Sequence, residues 1–253
     1  MLKIILNGCN GKMGQVITRL VAEQPDTEIV AGFDINDSIA NTYPVFTQPS
    51  MFTGAADVII DFSHPDGLAP LLSYALERKM PTVVATTGLS AAQAESLKAA
   101  SEQIPVFFTA NMSLGVNLMI DLAKKAAKLL EGSFNIEIIE KHHNQKIDAP
   151  SGTALAIADA VSSVLTETPE YVYDRHSSRK KRTATEIGLH AVRGGTIVGE
   201  HEIIFAGTDE IISISHSAAS KEVFAVGSIR AALYLAGQSA GMYSMGDLVE
   251  AMQ

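Results

Sequence analysis

Apolar and polar positions follow one rhythm in the first part of the chain and another in its middle. From Leu2 to about Ala110, short β-rich runs alternate with stretches of helical period. The runs "LKIILN", "EIVAGFD", "DVIIDFS", "PTVVATT" and "PVFFTAN" are almost continuously apolar and are bounded by turn residues, as expected of strands buried on both faces. Between several of them lie "KMGQVITRLVAEQ", "DGLAPLLSYALERK" and "AAQAESLKAASEQ", with the 3.6-residue spacing of amphipathic helices. This alternation predicts right-handed βαβ units and an α/β fold, a Rossmann-like doubly wound parallel sheet.

The rhythm then changes. A helix pattern from Ser113 to Leu130 leads into the strand "FNIEIIEKHH", a helix from about Thr153 to Leu165, and the polar stretch "DRHSSRKKRTA". "EIGLHAVRG", "TIVGEHEIIFAG" and "DEIISISHSA" follow as consecutive strands, with turns at Gly194-Gly195 and Gly207-Thr208-Asp209. Consecutive strands without helices between them predict a second, α+β domain on a mixed or antiparallel sheet. These strands alternate too irregularly to leave one clearly polar face, so part of the sheet is expected to be covered by another subunit. The tail "KEVFAVGSIRAALYLAG" is helical again and is expected to pack back on the first domain.

Composition narrows the function. Of 253 residues, 47% are hydrophobic, enough for a sizeable core. A formal charge of -9 and a pI near 5.2 argue against nucleic acid or an anionic membrane as a partner, so an anionic ligand needs a local positive site. Cys9 is the single cysteine, which excludes an intramolecular disulfide or a multi-cysteine metal site and fits the cytoplasm. "MLKIILNG" is too short for the apolar region of a signal peptide, and no stretch is long and apolar enough to span a bilayer. The basic run Arg179-Lys180-Lys181-Arg182 lacks interleaved aromatics and is expected to be a solvated loop.

Two stretches carry candidate chemistry. In "NGCNGKMG", Gly8, Gly11 and Gly14 fall where the first strand turns into the first helix. Glycines there permit a sharp turn and close approach to a pyrophosphate, and the helix start attracts its charge. The second strand ends at Asp34, placed to accept hydrogen bonds from an adenosine ribose. A glycine turn that serves packing alone is the plainer alternative, and nothing marks Cys9 as reactive. "FSHP", "ATTG" and "TANMS" end further strands and suggest a lined cofactor cleft.

The second stretch is "EKHHNQKIDAPSGTAL", from Glu140 to Leu155. Neighbouring strand residues point to opposite faces, so His142 and His143 do not readily chelate one metal ion. Either the pair is a polar strand end, or His142 and Lys146 supply protons and charge to a small molecule. In the second case its carboxylate meets the backbone N–H groups of Gly152 and Thr153, with Pro150 and Ser151 forming a turn and cap that leave those groups free.

"GCNGKMG", "DFSHP", "ATTG", "ANMSLGVN", "EKHHNQKIDAPSGTA" and "RGGTIVGEHEIIF" together resemble the bacterial 4-hydroxy-tetrahydrodipicolinate reductases (dihydrodipicolinate reductases) of lysine and diaminopimelate biosynthesis. The likeness covers nearly the whole chain, and the histidine stretch is its most specific part. It implies a dinucleotide-binding domain at 1–113 and 222–253, a substrate-binding and oligomerisation domain at 114–221, and a homotetramer. It implies His142 as proton donor and acceptor, Lys146 as a second proton-donating residue, and His143, Gly152 and Thr153 as ligands of a cyclic dicarboxylate. For the cofactor it implies Gly8, Cys9, Asn10, Gly11, Lys12, Met13, Asp34, Ala85, Thr86, Thr87, Ala110, Asn111, Met112 and Ser113. One departure stands out: many members carry a basic residue directly after the acidic one, and this chain has Ile35. No Lys or Arg occurs from Leu20 through Glu77, and Lys12 is the obvious local cation, so NADH is expected to be preferred over NADPH. Rival readings are a non-catalytic redox sensor, which would need an output module, and a two-domain dehydrogenase of another amino or imino acid.

Overall fold

The computed structural model describes residues 1–252. In chain order the elements are β1 (Leu2–Asn7), α1 (Lys12–Ala22), β2 (Thr27–Phe33), β3 (Val45–Phe46), β4 (Val58–Asp61), α2 (Leu68–Arg78), β5 (Thr82–Val84), α3 (Ala91–Ser101) and β6 (Pro105–Phe108). Next come α4 (Leu114–Leu130), β7 (Asn135–His142), α5 (Gly152–Ser162), β8 (Glu170–Val172), β9 (Glu186–Arg193), β10 (Gly199–Ala206) and β11 (Ile211–Ala218). The chain closes with α6 (Glu222–Leu235), β12 (Gly241–Tyr243) and α7 (Met245–Ala251). Two compact units result, Met1–Leu114 together with the segment from Glu222 onward, and Gly115–Lys221.

In the first unit seven strands form one sheet in the order β12-β6-β5-β4-β1-β2-β3, every neighbouring pair parallel. Successive residues of each central strand feed opposite faces. Ile4, Leu6, Val58, Ile60, Val83 and Phe107 pack with Ile17 of α1 and Ala225, Ile229 and Ala232 of α6. Ile5, Ile59, Val84 and Val106 pack with Leu71 and Leu72 of α2 and Leu97 of α3. Two buried faces explain the unbroken apolar runs, and each fully buried Ile or Leu contributes roughly 1.5–3 kcal/mol. The order of strands reverses between β1 and β4, where open α/β sheets bind ligands beyond their carboxyl ends. As the helical period of the tail suggests, α6 lies in this unit, beside α1.

The second unit holds a five-stranded mixed sheet, β11-β10-β7-β9-β8. β7 pairs parallel with β9 and antiparallel with β10. One face is covered by α4 and α5: Ile136, Ile138, Ile187, Leu189, Ile203 and Phe205 pack against Val116, Met119 and Ala123 and against Ala154, Ile157 and Val161. Gly207-Thr208-Asp209 turns a hairpin between β10 and β11, as expected. The chain also turns at Gly194-Gly195, but there it joins strands that are not neighbours, because β7 lies between β9 and β10. That connection instead passes the end of β7, where the Gly194 N–H donates to the His142 carbonyl at 2.9 Å and the Asn144 N–H to the Gly195 carbonyl at 3.2 Å.

The basic run is only partly solvated. Arg182 turns inward, its Nε donating to Glu137 Oε1 at 3.0 Å and its Nη2 to the Ile136 carbonyl at 3.0 Å. A planar five-donor guanidinium suits such a clamp, which a charge-pattern reading does not anticipate. Among the described residues no helix is long and apolar enough to cross a membrane.

Candidate functional site

In the first unit the glycine turn is set by backbone sterics. Gly8 has φ +78, and a Cβ on it would lie 2.5 Å from the Phe62 carbonyl oxygen. A Cβ on Gly14 would lie 2.2 Å from the Gly8 carbonyl oxygen, so glycine lets α1 sit directly on the turn. Gly11 is the N-cap of α1 and contributes no side-chain cap. Asp34 organises this loop from the end of β2: its carboxylate accepts from the Asn10 N–H at 2.9 Å and from the Asn36 N–H at 3.0 Å. Each oxygen keeps a second lone pair for a hydroxyl. Lys12 is exposed at the helix start beside half-buried Met13, and Ile35 is 94% exposed.

Other expected cofactor residues are scaffold through their side chains. Cys9 is fully buried, and burial, with Asp34 nearby, pushes its thiol up to about 11. Thr86 is buried, its hydroxyl donating to Asp61 Oδ2 at 2.8 Å, while Asn7 Nδ2 donates to Asp61 Oδ1 at 2.8 Å. Asp61 therefore joins the ends of β1, β4 and β5, although burial pushes its carboxyl above the ordinary range. Met112 belongs to the core, and a Cβ on Gly227 of α6 would come within 1.7 Å of its carbonyl oxygen. Ser113 is buried and its N–H donates to Asn111 Oδ1 at 2.8 Å. Ala85 is half-buried, and Thr87 and Ala110 are exposed.

In the second unit the candidate site continues the stripe that faces α4 and α5. Along β7 that stripe reads Ile136, Ile138, Glu140, His142, apolar under the helices and polar where they end. Register brings His201 of β10 beside Glu140 and Arg193 of β9 beside His142. Glu140 is fully buried and receives three donors, with an imidazole nitrogen as its fourth polar neighbour. Arg193 donates to both its oxygens at 2.7 Å, the Ser151 N–H to Oε1 at 2.9 Å, and His142 Nδ1 lies 2.6 Å from Oε2. Burial works against its charge, but Arg193, His142 and Ser151 outweigh that and hold its carboxyl below the ordinary range. The His201 ring meets His142 edge-on with centroids 5.2 Å apart, and its Nε2 lies 3.1 Å from Ser151 Oγ. Burial, then the neighbouring His142, pushes His201 down to about 4.

Ser151 caps α5, accepting from the Ala154 N–H at 3.2 Å. Asp148 lies beside Lys146, whose Nζ is 2.8 Å from its Oδ1, and Lys146 above all holds the Asp148 carboxyl below the ordinary range. Gly152 is exposed and Thr153 half-buried. The His143 carbonyl accepts the Lys146 N–H at 3.1 Å, while the His142 ring meets Glu140 and His201. Among the described residues no three His, Cys, Asp or Glu side chains gather as a metal site.

The sequence reading missed Glu140, Arg193 and His201. A signal was present in Glu140, a charged residue in step with Ile136 and Ile138 on a stripe otherwise buried.

Comparison with known proteins decides the family. Residues 2–112 match the model of the N-terminus of dihydrodipicolinate reductase, and residues 115–249 that of its C-terminus. The chain belongs to the dihydrodipicolinate reductase family. A 4-hydroxy-tetrahydrodipicolinate reductase of Caldanaerobacter subterraneus subsp. tengcongensis is 54% identical over 250 residues, 99% of each chain. One from Clostridium tetani is 48% identical over 245 residues, 97% of this chain and 96% of that protein. The solved structure of a dipicolinate-bound dihydrodipicolinate reductase from Paenisporosarcina sp. TG-14 has the same fold, with TM-score 0.81 and 24% identity, covering 96% of this chain and 97% of that one. Family membership carries the activity: NAD(P)H-dependent reduction of 4-hydroxy-tetrahydrodipicolinate in lysine and diaminopimelate biosynthesis.

Proposed function

We propose that His142 is the proton-handling group of this reductase and Lys146 its second cation. In this reading Gly152, Thr153 and His143 hold a carboxylate of the cyclic substrate. The observation that carries it is the closure of His142, Lys146 and the start of α5 around one strand end, joined through Glu140 and Asp148. A substrate carboxylate at the start of α5 meets the Gly152 N–H and competes with Asp148 for Lys146. The dicarboxylate in the Paenisporosarcina structure favours such a ligand.

The first unit is the dinucleotide carrier in this proposal. The space kept clear at Gly8 and Gly14, the helix start at Lys12 and the carboxylate of Asp34 fit a pyrophosphate and a ribose diol. When bound, the nicotinamide supplies a hydride to the ring left after the substrate loses water. Negative charge then grows on the nitrogen side of that ring. A protonated imidazole at His142 delivers the proton that quenches it, and Lys146 stabilises the same charge while steering an anionic substrate.

NADH is the preferred cofactor in this reading. A 2′-phosphate would sit by Asp34, with Asp37 close in sequence, and exposed Ile35 stands where many relatives have a base. The enzyme works as a cytoplasmic homotetramer, part of the outer face of the five-stranded sheet being covered by a neighbour. Support comes from Ile211 and Val192, which are 69% and 45% exposed.

The test is steady-state kinetics with enzymatically generated 4-hydroxy-tetrahydrodipicolinate and each cofactor at low ionic strength, where charge repulsion is least screened. The expected kcat/KM favours NADH by several-fold to roughly a hundredfold, or about 1–3 kcal/mol. Equal or better use of NADPH would mean that Lys12 outweighs the carboxylates.

A further inference from the structure

The roles given to His142 and the α5 loop leave open what fixes the ring and the loop in one arrangement. Glu140 meets both. Its Oε1 takes Arg193 Nη2 at 2.7 Å and the Ser151 N–H at 2.9 Å; its Oε2 takes Arg193 Nη1 at 2.7 Å and lies 2.6 Å from His142 Nδ1. Guanidinium and amide groups only donate, and a positively charged guanidinium spanning both oxygens, with a backbone N–H on one of them, favours the ionised carboxylate over the neutral acid. An ionised carboxylate cannot donate in turn, so the proton between Glu140 and His142 resides on Nδ1. A neutral imidazole carries one ring proton, which leaves Nε2 bare and able to accept another. The charge of Arg193 offsets that of Glu140, and His142 is not left beside an uncompensated anion.

The surroundings of Nε2 agree. A Cβ on Gly199, the first residue of β10, would stand 3.1 Å from Nε2, so glycine keeps a side chain from crowding that atom. On its other side the same carboxylate–guanidinium pair reaches the anion-binding loop twice. Glu140 holds the Ser151 N–H at the start of α5, and Arg193 Nη2 donates to the Asp148 carbonyl at 2.7 Å.

We propose that Glu140, paired with Arg193, is a positioning residue of the reaction: it fixes His142 as the Nδ1–H tautomer with Nε2 as the proton-exchanging atom, and locks the 148–152 loop to the same strand end. This rests on the role given to His142 above. Glutamine cannot substitute, since its NH2 would confront a donor in whichever direction it turned.

The first measurement needs no substitution in the protein measured. In the full-length chain labelled with 15N-histidine, long-range 1H–15N spectra taken above neutral pH should show His142 protonated at Nδ1 and bare at Nε2. Its signals are assigned by their loss in His142→Asn. The second is Glu140→Gln, expected to lower kcat roughly a hundredfold, the scale of a displaced acid or base, and to raise the substrate KM several-fold. Dinucleotide affinity should be unchanged, and His142 should lose its Nδ1–H preference. If that variant does not fold, Arg193→Lys serves, because a point charge cannot span both oxygens; it should lower kcat by roughly tenfold with the same change at the ring. An Nε2–H tautomer in an active wild-type enzyme would overturn the proposal alone, as would a folded Glu140→Gln with normal kcat and KM. A wild-type chain unable to oxidise the reduced dinucleotide with this substrate would overturn the functional reading and the proposal together.

Discussion

The five-stranded sheet carries two clusters of the same residue types on its opposite faces. On the outer face Glu137 joins His190 Nε2 at 2.7 Å, Arg182 Nε at 3.0 Å and Arg175 Nη2 at 2.8 Å. On the helix-covered face, three residues further along β7, Glu140 joins His142, Arg193 and Ser151. Composition does not separate them, but their surroundings do. The arginines around Glu137 come from the 174–182 segment and tie it to the sheet, Arg175 Nη1 reaching buried Glu186 at 2.8 Å. That cluster fastens a loop. Glu140 is buried between a helix start and a strand end, and Lys146 follows four residues after its histidine. A carboxylate, an imidazole and a guanidinium are therefore a folding device by default. In the function proposed above they gain chemistry where a helix N-terminus and a lysine adjoin them.

The largest expected contrast lies between the two histidines. His142→Ala should lower turnover by roughly a hundredfold or more, and Lys146→Ala similarly, with dinucleotide affinity nearly unchanged. His190→Ala should leave turnover within about threefold, since its ring serves the loop clamp. Stopped-flow or steady-state assays on the three variants read this directly. If His190→Ala were the inactive one, the distinction between the clusters would be reversed.

A smaller effect, of the opposite kind, is expected from Arg182→Ala. It removes a charge-assisted bond to Glu137 and caps on backbone carbonyls of Ile136 and Glu186, in a side chain only 18% exposed. The loss should be about 2 kcal/mol of stability, the range for hydrogen bonds to charged groups. Denaturant midpoints should fall while kcat per folded enzyme stays level. Unaltered midpoints would return the basic run to the solvated loop suggested by its charge pattern.

Legibility differs between the units for a physical reason. The parallel sheet and its glycine turn could be read from sequence because both depend on local rules: unbroken apolar runs for doubly buried strands, and glycines where a Cβ would strike the Phe62 and Gly8 carbonyl oxygens. β3, β8 and β12 escaped notice because two or three residues show no period. In the second unit His142, Lys146 and Gly152 lie within one short stretch and could be singled out together. Glu140 and Arg193 could not be paired, being 53 residues apart and joined by a register that exists only because β7 inserts between β9 and β10.

The smallest expected effect is a difference in acid sensitivity between the two faces. In the helix-covered cluster His201 is held down to about 4, first by burial and then by His142, against about 6.5 for an imidazole in the unfolded chain. Between these values the unfolded chain binds a proton that the folded one does not, so stability is full above about pH 6.5 and is lost as pH falls toward 4. At pH 6 linkage puts the loss at about 1 kcal/mol. In the outer cluster Arg175, with Thr183 and Lys180, holds Glu186 down to about 2 against the opposing effect of burial. A depressed carboxyl stabilises above its unfolded value of about 4.3, and that contribution is lost only as pH falls from there toward 2. The two faces should thus respond in sequence, the histidine from mildly acidic pH and the carboxylate below it. Denaturation midpoints followed from pH 7.5 to 5 should decline in the wild type and decline less in His201→Gln, whereas Glu186→Gln should reduce midpoints at pH 7 and flatten the fall below pH 4.5. Equal slopes above pH 5 in the wild type and His201→Gln would show that the proton is taken up elsewhere.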